Sequence, residues 1–188
     1  MRVLNVSIFF WIFCIVSCGR IIIELFVLRH KKEQADAKKT GLITLYIMTA
    51  GYSIAQLYTG FRLLFEIPNA YLYMTGITLF VTGTSGRVYA LASLGNAYSR
   101  FITVSEHGRL ATQGAYSFMR HPLYFFYLVE MAGFCLMRIN LVSIVAWVVV
   151  MAAILYRIPE EDRLLADRYG VAFDTYRKDV RRLIPYLW

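Results

Sequence analysis

The sequence predicts an all-α, polytopic membrane protein with about five transmembrane helices, a cytoplasmic loop and a C-terminal amphipathic helix. Three observations predict it. First, 59% of the 188 residues are hydrophobic and only 17% are charged, where a soluble domain carries roughly a quarter. Second, the apolar residues form long runs. Segments 3–19, 42–61, 67–86 and 139–156 contain no Asp, Glu, Lys or Arg, and a helix needs roughly 20 mainly apolar residues to cross the hydrocarbon layer. Third, fifteen of the twenty Lys and Arg residues lie in three segments, 29–41, 93–121 and 157–188. Five spans put those segments on one side, and positive residues mark the cytoplasmic face. The expected topology is N-terminus outside, C-terminus cytoplasmic. The net charge of +8 is thereby read as an orientation signal, with no nucleic-acid partner expected.

The elements follow in order. Span one runs from about residue 3 to 28. Its apolar stretch resumes after Arg20, which is too long for a signal peptide with an apolar region of roughly 7–15 residues; a retained helix is expected. Arg20 and Glu24 are four apart and can pair on one face, with Arg20 snorkelling to the headgroups. Residues 29–41 form a polar loop, and Gly41 opens span two. Glu66-Ile67-Pro68-Asn69 reads as an external turn. Span three carries Gly76, Gly83 and Gly86, small residues that let membrane helices approach closely. Residues 93–121 are too polar to cross. Then comes a hairpin of spans. Its first arm, Pro122–Met137, is short and interrupted by Glu130; the chain turns at Arg138, and Asn140 can cap the returning helix.

The tail differs in character. Pro159 suits the first turn of a new helix, and Glu160, Glu161 and Asp162 follow where acids favour a helix N-terminus. Leu165, Tyr169, Phe173, Tyr176 and Val180 recur at helical spacing, giving an amphipathic helix interrupted or re-capped near Gly170. The three cysteines, Cys14, Cys18 and Cys135, fall inside spans and match no metal or redox pattern; they read as small packing residues.

Two clusters could carry chemistry. One is Gly114-Ala115-Tyr116 followed by Arg120-His121-Pro122-Leu123-Tyr124. The other is Arg157-Ile158-Pro159-Glu160-Glu161-Asp162, then Leu165 and Tyr169-Gly170. Both lie at the cytoplasmic ends of the last two spans, and a hairpin brings those ends together. Each cluster alone also reads as a loop end or an ordinary helix start. Side by side they place arginines, a histidine, carboxylates and aromatic rings at one membrane boundary.

The C-terminal half resembles the isoprenylcysteine carboxyl methyltransferase family, and a related phospholipid methyltransferase group shares part of the pattern. The resemblance is carried by Leu94-Gly95, Gly114/Tyr116, Arg120-His121-Pro122-Leu123-Tyr124, Arg157, Glu161-Asp162, Leu165, Tyr169-Gly170, Phe173, Tyr176 and Pro185, in order, over half the chain. There are departures. His107 stands one position early. Glu160 precedes the acidic pair. Phe126 replaces a glycine found in many relatives, which narrows the expected acceptor tunnel.

The resemblance implies S-adenosylmethionine bound on the cytoplasmic side under the C-terminal helix. The residues it implicates in cofactor binding are His107, Leu110, Ala111, Gly114, Tyr116, His121, Pro122, Leu123, Tyr124, Glu161 and Asp162; Arg157, Arg120 and Glu161 are implicated in catalysis, and no metal is expected. Arg120 or Arg157 could grip the cofactor carboxylate, and Glu161 or Asp162 its ammonium. Tyr116 and Tyr124 could face the sulfonium, and backbone around Leu110 and Ala111 could read the adenine. His121 either orients these groups or caps a loop. Residues 1–92 would shape a lipid channel and 93–188, with the hairpin 122–157, would hold the cofactor and the chemistry. The implied reaction is methyl transfer to a lipophilic acceptor in the bilayer, the carboxylate of a prenylated cysteine. The other readings are N-methylation of a phospholipid amine and a non-enzymatic membrane scaffold.

Overall fold

The computed structural model describes residues 2–29, 39–66, 68–94 and 110–184, with side chains at 2–7, 23–29 and 39–42 left aside. Leu94 is therefore described, whereas Gly95, His107 and Pro185 lie outside the described residues. Among the described residues six α-helices follow one another: α1 (Arg2–Arg29), α2 (Lys39–Phe65), α3 (Ala70–Leu94), α4 (Pro122–Met137), α5 (Leu141–Tyr169) and α6 (Val171–Asp179). A 3-10 turn, Gly114–Ser117, precedes α4. The described residues contain no named β-strand, only one isolated bridge between Met119 and Arg181.

Local chemistry sets several helix ends. The Asn69 side chain accepts from the backbone of Tyr71 and Leu72 at 3.1 and 3.2 Å, opening α3. Pro122 stands in the first turn of α4, where its missing N–H costs nothing. Asn140 caps α5, accepting from the Ser143 N–H at 2.7 Å, as its place after the turn predicts. Gly170 divides α5 from α6 at a φ of +49°.

The expected helix start at Pro159 is corrected. α5 continues through that proline to Tyr169. The missing proline N–H forfeits one intrahelical bond. Tertiary anchoring offsets this, because its chain neighbours Arg157, Ile158 and Asp162 are all buried while Pro159 itself faces outward.

α3 and α4 approach closely. A Cβ on Gly76 would meet the Met137 backbone at 2.6 Å, and one on Gly83 would meet the Glu130 backbone at the same distance. This is the small-residue packing read from the sequence. The shared core is aromatic: the Phe134 ring lies 5.2 Å from Tyr52, 5.0 Å from Phe80 and 5.9 Å from Phe13. At the far end of the bundle, Arg62 and Arg138 both pair with Glu66, fastening the α2–α3 turn to the α4–α5 turn.

Large apolar side chains cover the outside. Trp11, Leu57 and Leu141 are 62%, 74% and 75% exposed, a pattern that a water-facing surface rarely sustains. By length and composition together, α5 is long and apolar enough to cross a membrane; Ile8–Ile22 and Pro122–Met137 are shorter apolar helices.

Arg20 also departs from expectation. Its guanidinium turns into the bundle instead of toward the headgroups, and its Nε donates to Glu130 of α4 at 3.1 Å. Glu24, the partner expected from spacing, has its side chain outside the described residues.

Candidate active site

The site assembles where the N-terminus of α4 meets the middle of α5. Arg157 and Glu161 are one turn apart on α5, and Asp162 follows on the neighbouring face. His121 and Tyr124 face them from α4. Arg157 Nε donates to the Tyr124 hydroxyl at 2.6 Å and to Glu161 Oε1 at 3.0 Å. The Tyr124 hydroxyl donates onward to Glu161 Oε1 at 2.5 Å. His121 Nε2 lies 3.0 Å from Asp162 Oδ1, and Nδ1 lies 3.5 Å from Glu161 Oε2. The His121 and Tyr124 rings stack, with centroids 5.8 Å apart. His121 occupies the N-cap position of α4, but its side chain makes no cap bond. The imidazole faces the α5 carboxylates and does not cap α4.

Arg120 Nη1 pairs with Asp162 Oδ2 at 3.1 Å, and Arg182 Nε donates to the same oxygen at 2.9 Å. The chain after α6 runs back over the site. The backbone N–H groups of Arg120 and His121 donate to the carbonyls of Arg181 and Arg182 at 2.7 and 2.9 Å. Tyr176 of α6 donates to the Tyr116 carbonyl at 2.6 Å, and Phe173 is fully buried beneath the Arg120 guanidinium.

The Gly114–Tyr116 segment forms the other wall. Gly114 has φ +62°, a left-handed conformation that favours glycine, and a Cβ there would collide with the Ser93 hydroxyl. Ser93 Oγ accepts from the Ala115 N–H at 3.2 Å, which holds the turn on the end of α3. Ala115 and Tyr116 are buried against Ala90, with Ala111, Leu94 and Leu123 packed around them.

The charges sustain one another. Burial opposes ionisation of His121, but its bonds to Asp162 and Glu161 and their charges outweigh this and raise its pKa. Burial likewise works against the Glu161 and Asp162 carboxylates. The hydrogen bond and charge of His121, with Arg157 beside Glu161 and Arg120 beside Asp162, hold both below the usual range. For Arg120, burial outweighs Asp162 and lowers the pKa.

The structure thus joins Arg120, His121, Tyr124, Arg157, Glu161 and Asp162 in one bonded group. Leu110, Ala111, Gly114, Tyr116 and Leu123 stand at the adjoining apolar wall, and Pro122 is buried between the two. His107 is outside the described residues. Sequence reasoning missed Thr44, whose hydroxyl accepts from Arg157 Nη1 at 3.1 Å across 113 residues. It also gave Arg182 no role beyond tail charge. Neither carries a local signal.

The arrangement suits a zwitterionic ligand. It offers carboxylates for a cation and guanidinium groups for an anion. Arg120 Nε is buried without a hydrogen-bond partner, a donor whose burial costs free energy until something accepts from it. The amino-acid end of S-adenosylmethionine has the matching pair of charges.

Comparison with known proteins identifies the family. Residues 76–167 match the model of the isoprenylcysteine carboxyl methyltransferase (ICMT) family, a stretch containing α4 and all of its partners on α5. The chain is 30% identical over 151 residues to protein-S-isoprenylcysteine O-methyltransferase A of Arabidopsis thaliana, covering 75% of this chain and 77% of that one. It is 31% identical over 115 residues to protein B of the same name and plant, covering 60% and 58%. A probable protein-S-isoprenylcysteine O-methyltransferase of Oryza sativa subsp. indica is 24% identical over 163 residues, covering 84% and 85%. With its site geometry and these relatives taken together, the chain belongs to the isoprenylcysteine carboxyl methyltransferase family.

Proposed function

We propose that this protein is an integral membrane enzyme that transfers a methyl group from S-adenosylmethionine to the carboxylate of a prenylated cysteine. The observation that carries the reading is the bonded group of His121, Tyr124, Arg157, Glu161 and Asp162 at the joined ends of α4 and α5. Family membership and the names of the relatives support the same chemistry.

S-adenosylmethionine, when bound, supplies an electrophilic methyl on a sulfonium whose departure leaves a neutral thioether. The chain's residues hold and orient. Arg120, with its unpaired Nε, suits the cofactor carboxylate, and Asp162 or Glu161 suits the ammonium. Tyr116 and the wall of Leu110, Ala111, Gly114 and Leu123 suit the adenosine. His121 fixes the two carboxylates. Arg157 steers the acceptor carboxylate. That carboxylate is ionised near pH 7 and needs no general base, so the task is alignment and exclusion of water.

The membrane reading has five spans, on α1 to α4 and on α5 up to residue 156, with the N-terminus outside and the site cytoplasmic. Residues 1–92 form the lipid-facing part and 93–188 the cofactor part. The exposed apolar surface and the clustering of basic residues favour this arrangement. The lipid tail then enters between helices while the cofactor arrives from water.

Purified protein incubated with methyl-labelled S-adenosylmethionine and a prenylcysteine acceptor should yield a base-labile methyl ester. Absence of cofactor binding in folded protein, or a base-stable product, would overturn the reading.

A further inference from the structure

The reaction as derived above uses nothing of Glu130, yet four helices converge on it. It is fully buried on α4. Its Oε1 accepts from Tyr52 of α2 at 2.7 Å and from Arg20 of α1 at 3.1 Å, and its Oε2 accepts from Arg87 of α3 at 2.7 Å. The Arg20 guanidinium also lies over the Tyr52 ring, 3.9 Å from its centroid. An ionisable group inside a membrane bundle is costly and calls for a role. Packing alone would be served by an apolar side chain of similar volume. The best-attested role for a buried polar cluster is to fix the register of one helix against another.

What this register controls can be followed along α2. Tyr52, Met48 and Thr44 are spaced by four and share a face. Tyr52 bonds Glu130. The Met48 carbonyl accepts from the Tyr127 hydroxyl at 2.9 Å, and the Tyr52 and Tyr127 rings are 5.3 Å apart. Thr44 accepts from Arg157 Nη1 at 3.1 Å. These are three successive rungs, and the last reaches the active site. At the opposite end the Thr59 and Ser143 hydroxyls lie 3.1 Å apart, so α2 is also held against α5. The Glu130 rung holds it against α4.

We infer that Glu130 is a positioning residue. By gripping Tyr52 it sets the height of α2 against α4, and this places the Thr44 hydroxyl to fix Arg157 Nη1 while Nε serves Tyr124 and Glu161. The inference rests on the reading of Arg157 as the arginine that steers the acceptor.

Removing Glu130 outright strands two arginines and endangers the fold, so the test works at the two ends of the ladder. Tyr52→Phe keeps the ring and removes the hydroxyl that reaches Glu130. Thr44→Val keeps the shape and removes the hydroxyl that reaches Arg157. The full chain, in detergent, is assayed for kcat and KM with a prenylcysteine acceptor and for S-adenosylmethionine affinity by calorimetry. Loss of one hydrogen bond predicts about a 3- to 10-fold fall in kcat/KM for each variant, with cofactor affinity within about twofold.

The double variant should be little worse than the poorer single one. The two positions are about 12 Å apart along the helix, a separation at which independent effects multiply. Multiplying effects, or an unaffected Tyr52→Phe, would overturn the inference. A wild type that binds S-adenosylmethionine but methylates no prenylcysteine acceptor would overturn the functional reading instead. The same cycle run on melting temperature then decides the inference, coupled shifts supporting it and additive shifts sinking it.

Discussion

Two groups of carboxylates and arginines are built on α4, one with α5 and one with α1 to α3, and they are built differently. At the mouth of the hairpin, Glu161 and Asp162 are shared among His121, Tyr124 and three arginines. Partners overlap there, Glu161 remains partly exposed, and one buried donor, Arg120 Nε, stays open. Deeper in, Glu130 is fully buried and takes a bond from each of three other helices. The mouth can trade bonds with a charged ligand. The inner centre has every reason to stay fixed. Similar residue types are therefore open to exchange in one place and enclosed in the other, and burial together with the number of converging helices makes the difference.

The comparison is open to attack in order of size. The largest expected effect is that of Glu130→Leu, which leaves two arginines beside an apolar side chain. Breaking a buried ion pair costs about 3–5 kcal/mol, so the melting temperature in detergent should fall steeply. A small fall would show that the inner centre is no more structural than the mouth.

Next is Asp162→Asn. Bonds to charged groups contribute about 1.5–3 kcal/mol each, so S-adenosylmethionine affinity should drop roughly 10- to 100-fold. The fold should persist, because the mouth is only partly enclosed. Calorimetry against the melting curve separates the two outcomes. A variant that melts early without losing affinity would make Asp162 a structural residue like Glu130.

Tyr124→Phe should act more mildly. It removes one hydroxyl between Arg157 and Glu161, worth about 1 kcal/mol, and leaves the direct Arg157–Glu161 pair in place. A several-fold fall in kcat with unchanged cofactor affinity is expected from steady-state kinetics.

The smallest effect is on the pH dependence of stability. The pKa of His121 is raised in the folded protein, so its contribution is full below the unfolded value of about 6.5 and fades as pH rises through the folded value. Glu161 and Asp162 are held low, so theirs is full above the unfolded carboxylate values of about 4 and is lost as acid passes the depressed ones. All three stabilise fully between about pH 4 and 6.5. Melting temperatures of wild type and His121→Gln across pH should differ most there and converge on the alkaline side. A constant gap would remove His121 from the charged set.

Much of this was legible from the sequence. Apolar runs located α1 to α5. Asn140 marked the start of α5, and Gly170 marked a break in the tail. The turn at Arg138 brought the 120–124 and 157–162 clusters together, because a hairpin fixes which ends meet. Gly76 and Gly83 announced that α3 packs closely on a neighbour, which the structure identifies as α4.

What remained hidden shares one physical reason. Local periodicity reveals which face a residue occupies, and it is silent on which side chain of another helix stands opposite. Arg20 meets Glu130 across 110 residues, Arg87 meets it across 43, and Arg157 meets Thr44 across 113. Nothing near Thr44 in the chain distinguishes it from neighbours that merely pack, and Glu130, though the sole charge between residues 122 and 137, carries no sign of which side chains it meets. Pro159 belongs with these: it has the local signature of a helix start, but its buried chain neighbours keep α5 continuous through it. The sequence by itself determined most of the helices, their turns and the meeting of the 120–124 and 157–162 clusters, because those depend on burial pattern and short-range bonds. Only the tertiary structure decided which cations hold which carboxylates, because that depends on the rotation and height of each helix against the others.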